Sequence, residues 1–217
     1  MRMYESGAVC VLAMLAGLFA ATLSLAQPKG YTAVKDVSGF RQAFARESGK
    51  IHSIESGFRQ EKVLSALTET IQSRGQFWFK RANKVRIEYK TPFLYTMVLN
   101  GDKMLVRDGE KQSQINVRSN KLFQQINRIM IDCVQGTILD SKDFTVRVFE
   151  NDVSYLLELT PTSKSLREFF QIINLTVQKA DYVASVIEMN EPGGDKTTIY
   201  FIDRKLNNTI ADAVFTL

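Results

Sequence analysis

The 217-residue chain is 45% hydrophobic and 24% charged, with 12 Gly, 4 Pro and 2 Cys, a composition that excludes disorder, collagen-like repeats and coiled coils. Two cysteines are too few for a disulfide scaffold or a thiolate zinc site, and a single histidine, His52, rules out a His-rich metal centre and argues against a histidine triad. The 28 basic and 23 acidic residues leave a net charge of +5 scattered along the chain, whereas nucleic-acid binders gather such charge on one face; no nucleic-acid partner is expected.

Residues 6–26 carry no charge, and Arg2 is the only basic side chain before them. The apolar run 9–19 followed by Ser24-Leu25-Ala26 reads as a signal peptide, residues 1–26, cleaved before Gln27 on export. An uncleaved anchor is the competing reading, because about 20 apolar residues span a bilayer. Residues 27–217 then form one domain whose sole cysteine, Cys133, lies in an apolar helical pattern and is expected as a buried, inert thiol.

Ser38 is expected to cap a helix in which Phe40, Ala43, Phe44 and Glu47 follow at helical spacing, with Gly49 as its stop. Beyond Lys50 the period changes to two. Ile54, Ser56 and Phe58 alternate with other residues, residues 68–80 run extended through Phe77-Trp78-Phe79, and Val85, Ile87 and Tyr89 alternate with Arg86, Glu88 and Lys90. Asn83 marks the turn between the last two runs, and Thr91-Pro92 ends the second. Further strands are expected at 93–99, 103–108, 144–149, 154–160, 171–177, 184–189, 198–202 and 211–216. Asn100-Gly101 and Asn151-Asp152 are tight-hairpin signals, and Gly193-Gly194 suits a looser turn. A second helix, capped by Ser119 or Asn120 and ending near Gly136, puts Leu122, Phe123, Ile126, Ile129, Met130 and Cys133 on one face.

Short polar turns argue for one antiparallel meander. A single sheet of about ten strands tends to curl, and only the two helices are available to cover its concave apolar face. The fold class is therefore α+β, mainly β: a single curved antiparallel sheet with a helical lid.

No G-x-S-x-G, P-loop, H-E-x-x-H or C-x-x-C motif occurs. Acidic residues such as Glu88 alternate with apolar positions and belong to a solvated face. No catalytic residue, metal ligand or cofactor is expected. The apolar inventory is more informative: Phe77, Phe79, Val85, Ile87, Tyr89, Tyr95, Met97, Leu99, Tyr155, Leu157 and Leu159 fall on one strand parity. They form either an ordinary core or the wall of a cavity for an acyl chain, each methylene of which contributes roughly 0.8 kcal/mol on burial. The pattern leaves both open. Arg81 shares the inward parity of Phe77 and Phe79. Its five donors suit the orphan carbonyls of a lid helix, or it reaches solvent from a turn.

The stretch Gly75-Gln76-Phe77-Trp78-Phe79-Lys80-Arg81-Ala82-Asn83, then Val85-Arg86-Ile87-Glu88-Tyr89, Pro92 and Asn100-Gly101, resembles the motifs of the periplasmic lipoprotein carrier family, LolA. Leu159-Thr160-Pro161 and 210–215 are similar to its later signatures. The resemblance implies an unclosed, half β-barrel with a helical lid over an apolar cavity. It implies a monomeric, non-enzymatic carrier of acylated lipoprotein cargo, loaded by an inner-membrane lipoprotein-releasing ABC transporter and unloaded to an outer-membrane acceptor. It places the lid latch on Arg81, a cavity position on Val85, and the lid on the helix bearing Phe123, Ile126, Ile129 and Met130. Ala82 replaces the common proline, Ile87 stands where tryptophan is frequent, and the chain stops at Leu217 without the extension of some members. The alternatives are a binding protein of the same fold for another lipid or hydrophobic small molecule, and an envelope-stress sensor domain.

Overall fold

The switch from helical to two-residue period near Lys50 is reproduced in a computed structural model, which describes residues 27–67, 69–81, 83–117 and 121–216. The expected signal segment and its cleavage site, the caps at Ser119 or Asn120, and Ala82 lie outside the described residues. Helix α1 spans Val37–Ser48. Its N-cap is Asp36 rather than Ser38: the Gly39 N–H donates to Asp36 Oδ1 at 2.8 Å, and a carboxylate there also complements the positive end of the helix dipole.

Strands β1 (Thr32–Ala33), β2 (Ser53–Val63), β3 (Thr70–Lys80), β4 (Lys84–Thr91), β5 (Tyr95–Asn100), β6 (Lys103–Asp108) and β7 (Lys111–Asn116) precede helix α2 (Lys121–Gln135). After it come β8 (Phe144–Glu150), β9 (Ser154–Pro161), the short α3 (Lys164–Arg167), β10 (Ile172–Gln178), β11 (Ala184–Asn190) and β12 (Lys196–Leu206). All twelve strands form one sheet, in the order β1-β8-β9-β10-β11-β12-β2-β3-β4-β5-β6-β7, and every neighbouring pair is antiparallel.

This corrects the single meander. Two meanders, β2–β7 and β8–β12, join where β12 pairs with β2 from Lys196↔Val63 to Leu206↔Ile54. The chain leaves β7 at one edge and resumes at β8 beside the other, so α2 is the connection that spans the sheet. The sheet remains open, with β1 and β7 as unpaired edges.

Strand β7 was not expected because its sequence, KQSQIN, has a single apolar residue. A polar edge strand of this kind discourages pairing with other chains. The expected strand at 211–216 is instead a 3-10 turn, Asp212–Phe215. Its alternation suits a strand, but β12 is already paired on both sides, with β11 and β2. The segment lies on the outer face of the sheet, where Val98, Ile210 and Phe215 form a small core with Trp78, Leu105 and Val214.

Outward residues of the sequence motif hold that segment. Lys80 Nζ donates to Ile210 O at 2.8 Å and to Asp212 Oδ1 at 2.7 Å, and Lys84 pairs with Asp212 at 3.0 Å. Arg86 Nη1 donates to Val214 O at 3.2 Å and Thr216 O at 3.1 Å. Gly75 has a different purpose. Phe58 pairs opposite it, Tyr89 pairs on its other side, and a Cβ there would stand 2.0 Å from Glu88 O and 2.6 Å from the Phe58 ring. Its bare backbone lets Phe58 and Tyr89 meet edge-on with ring centroids 5.0 Å apart.

Candidate functional site: an apolar cavity under α2

The concave face is covered unequally. Over β8–β10, Phe40 and Phe44 of α1 and Leu166 of α3 form a closed core with Leu157, Leu159 and Val177, to which Ile173 and Leu175 of β10 belong on one side while facing the neighbouring hollow on the other. From β10 through β12 and β2 to β5 the covering side chains come from α2, and a cavity of about 300 Å³ remains. That volume is at the low end for sites that bury small ligands.

Six of the eleven strand residues predicted from parity line it: Phe77, Phe79, Val85, Ile87, Tyr89 and Met97. Of the lid residues, Ile129 and Met130 line it; the side chains of Phe123 and Ile126 lie outside the described residues. The other five strand residues are placed elsewhere. Leu157 and Leu159 have the expected orientation but are sealed beneath α1. Tyr155 packs on Phe40 at 4.4 Å and on Tyr182 at 5.8 Å. Leu99 is fully buried in a cluster with Met104 and Val117. Tyr95 is half-buried and meets Tyr89 edge-on at 5.9 Å.

The sequence reading missed the second half of the wall. Ile54 and Phe58 on β2, Ile187 and Met189 on β11, and Ile199 and Phe201 on β12 all line the cavity, together with Tyr182, Val183 and Ala184. Their two-residue alternation was legible, but the β12–β2 pairing that carries them to the other strands was not.

Arg81 grips the end of α1, not α2. Its Nε donates to Ile51 O at 2.6 Å, and Nη2 donates to Ser48 O at 3.1 Å and Gly49 O at 3.0 Å. These carbonyls belong to the last residue of α1 and the turn after it, where helix carbonyls run short of N–H donors, although Ser48 O also accepts from the Ile51 N–H, and a cation favours the negative end of the dipole. The expected acceptor type is therefore present on a different helix. Arg81 reaches α2 indirectly. Gly136, just beyond α2 at φ 73, packs so closely on α1 that a Cβ would stand 2.7 Å from Phe44 O and 2.9 Å from Ser48 Oγ.

One charged residue of the wall was also missed. Arg204 is the one charged side chain among the described residues that line the cavity. Its Nη1 donates to Val183 O at 3.0 Å and Ala184 O at 3.3 Å, and Nη2 pairs with Asp181 Oδ2 at 3.1 Å. Nothing in composition or spacing distinguished Arg204 from other strand cations. Cys133 lines the cavity from α2, and burial pushes its thiol up to about 12, so it stays protonated at neutral pH. The wall is otherwise hydrocarbon and aromatic, and what it offers chemically is burial of apolar groups.

The profile of the LolA family, described as outer membrane lipoprotein carrier protein, matches residues 49–217. An outer-membrane lipoprotein carrier protein from Chromohalobacter salexigens is 23% identical over 167 residues, covering 76% of this chain and 76% of the relative. Among solved structures, a LolA superfamily protein from Nitrosomonas europaea aligns at 15% identity and TM-score 0.44, covering 82% of this chain and 97% of its own. A conserved protein from Thermus thermophilus aligns at 9% identity and TM-score 0.49, covering 82% and 91%. With the family profile spanning β2 to β12, α2 and the outer C-terminal segment, the chain belongs to the LolA family of outer membrane lipoprotein carrier proteins.

Proposed function

We propose that the cavity binds the acyl chains of lipoproteins and that this chain carries them through the periplasm as a monomer. In this reading residues 1–26 export it, an inner-membrane ABC transporter loads it, and an outer-membrane acceptor relieves it of cargo. The observation that carries the proposal is the apolar cavity between sheet and α2 in a chain of this family.

Its size shapes the mechanism. A methylene needs roughly the room of a water molecule, ~30 Å³, so this conformation accommodates on the order of ten. At roughly 0.8 kcal/mol each they supply about 8 kcal/mol, micromolar affinity before ordering costs. A multiply acylated cargo needs more space, so α2 with Ile129 and Met130 must move outward. Phe123 and Ile126 are assigned to the same moving face. Energy for directional transfer enters at the transporter, and about 1.4 kcal/mol suffices for each tenfold step between donor, carrier and acceptor.

Native mass spectrometry of the protein purified from the periplasm tests this. Acylated lipoprotein is the expected passenger. Free lipid or pigment as the sole passenger overturns the lipoprotein assignment in favour of another hydrophobic ligand. A bound protein partner with no acyl group overturns it in favour of a sensor domain.

A further inference from the structure

Arg204 reaches the cavity wall through a local irregularity. Between Ile202 and Lys205, β12 advances three residues while β2 advances two, from Gly57 to Glu55. Before this bulge Ile199 and Phe201 face the cavity; within it Arg204 does. A bulge re-aims side chains in this way. Within it Asp203 sits at φ 52, and across the guanidinium Tyr182 sits at φ 56, both in a left-handed region that side-chain-bearing residues rarely occupy. Strained backbone on both sides of one side chain is characteristic of functional constraints.

Arg204 holds residues 181–184, the end of the turn after β10 and the first residue of β11, of which Tyr182, Val183 and Ala184 form part of the wall. It does so through Val183 O, Ala184 O and the Asp181 carboxylate. The adjoining ladder is itself irregular, with a register shift between Thr176 and Val177. The turn's further tie to α1 runs from Ser48 Oγ to Tyr182 O at 3.5 Å, and Ser48 O is also an acceptor for Arg81. The two arginine grips thus meet at Ser48. The chemistry suits a reversible closure. An ion pair and carbonyl bonds at the wall hold it shut, and water replaces them when it opens, so neither partner is left with an unpaired buried charge.

We propose that the 181–184 turn is a movable wall of the cavity and that Arg204 is the positioning residue that keeps it closed. Loading and release then pass a second gate besides α2. The proposal rests on the cavity being a ligand site, but the motion can be measured without ligand, because Cys133 lines the same space.

The test is native-state labelling with N-ethylmaleimide, read by mass spectrometry on the peptide containing Cys133. Arg204→Met removes the grip, and Arg204→Lys keeps the charge without the fork. Labelling is expected to rise about tenfold or more in Arg204→Met, the loss of at least one charge-assisted bond, and less in Arg204→Lys. Amide exchange at Tyr182 and Val183 should rise in parallel, beyond any change in global unfolding. Asp181→Asn, at the surface end of the pair, should shift labelling in the same direction and serves if Arg204→Met does not fold. Unchanged labelling, or a rise equal to the change in global unfolding, overturns the gate. A fluorescent palmitoyl probe separates the two readings. If the probe binds but leaves wild type and Arg204→Lys at one rate, the gate fails and the binding site stands. If the wall opens but wild type binds no probe, the binding reading fails.

Discussion

Arg81→Leu removes three hydrogen bonds from a guanidinium to the end of α1, at 2.6, 3.1 and 3.0 Å. Hydrogen bonds to a charged group contribute about 1.5–3 kcal/mol each when well buried. Arg81 is only half-buried, and water can reach carbonyls at a helix end, so the three together are worth about 2 kcal/mol, with about 0.5 kcal/mol more from the helix dipole. The loss should be local first. Gly49, Lys50 and Ile51 N–H groups bond back to Ala45, Glu47 and Ser48 carbonyls; a 2 kcal/mol weakening raises their exchange roughly thirtyfold. Hydrogen exchange with peptide-level resolution measures this, and urea unfolding gives the global change. Arg81→Lys should restore part of the protection, since the charge remains and the fork is lost. The reasoning is refuted if exchange quickens across 121–135 while 48–51 is unaffected, because Arg81 would then hold α2 directly.

Gly136→Ala forces a Cβ to 2.7 Å from Phe44 O at φ 73; left-handed strain and backbone overlap together should cost about 2–4 kcal/mol in denaturant unfolding. Leu157, sealed in the core, should lose about 2–5 kcal/mol on change to Ala with no change in palmitoyl-probe stoichiometry. Met97→Trp, which fills part of the cavity, should instead weaken the probe tenfold or more with stability kept or raised; the opposite pattern would exchange core and cavity. The Cys133 thiol, raised by burial from 9.0 to about 12, keeps its proton in the folded chain at pH values where the unfolded chain loses it. Stability is therefore intact below pH 9 and falls as pH rises from there toward 12, by up to about 1.4 kcal/mol per pH unit. Cys133→Val should flatten that slope when urea midpoints are compared from pH 8 to 11.

What the sequence disclosed was local. Alternation at Val85, Ile87 and Tyr89 identified β4, and Asn100-Gly101 marked the β5–β6 turn, where Gly101 takes φ 61. Such signals depend on a residue's own backbone and nearest neighbours. What stayed hidden was non-local. Asp36 and Ser38 are both good caps two positions apart, and only the geometry of chain approach selects Asp36. The inward parity of Arg81 is visible, but which helix presents carbonyls to it depends on how α1 and α2 cross the sheet. The 211–216 segment has the apolar alternation of a strand and is diverted because no sheet edge is free beside it. Arg204 is invisible for a related reason: its direction is set by a one-residue bulge that flips the parity read along β12.

The division between core and cavity follows from the same asymmetry, and its energetics bear on function. Parity put Leu157 and Ile87 in one class, yet Phe40 and Phe44 cover the first while the second faces Ile129 and Met130 across open space. An apolar hollow of 300 Å³, weighed at about 24 cal/mol per Å³, costs about 7 kcal/mol, comparable with the whole net stability of a typical domain. Larger side chains at Val85 or Ala184, both in the wall, would close much of it by ordinary substitution. A sequence that puts small residues there, aims a guanidinium at the wall by a strained bulge and spans the opening with a single amphipathic helix retains a costly space. That cost is offset when an apolar ligand fills the space, which is why cavity-filling at Met97 should separate stability from binding where truncation of Leu157 should not.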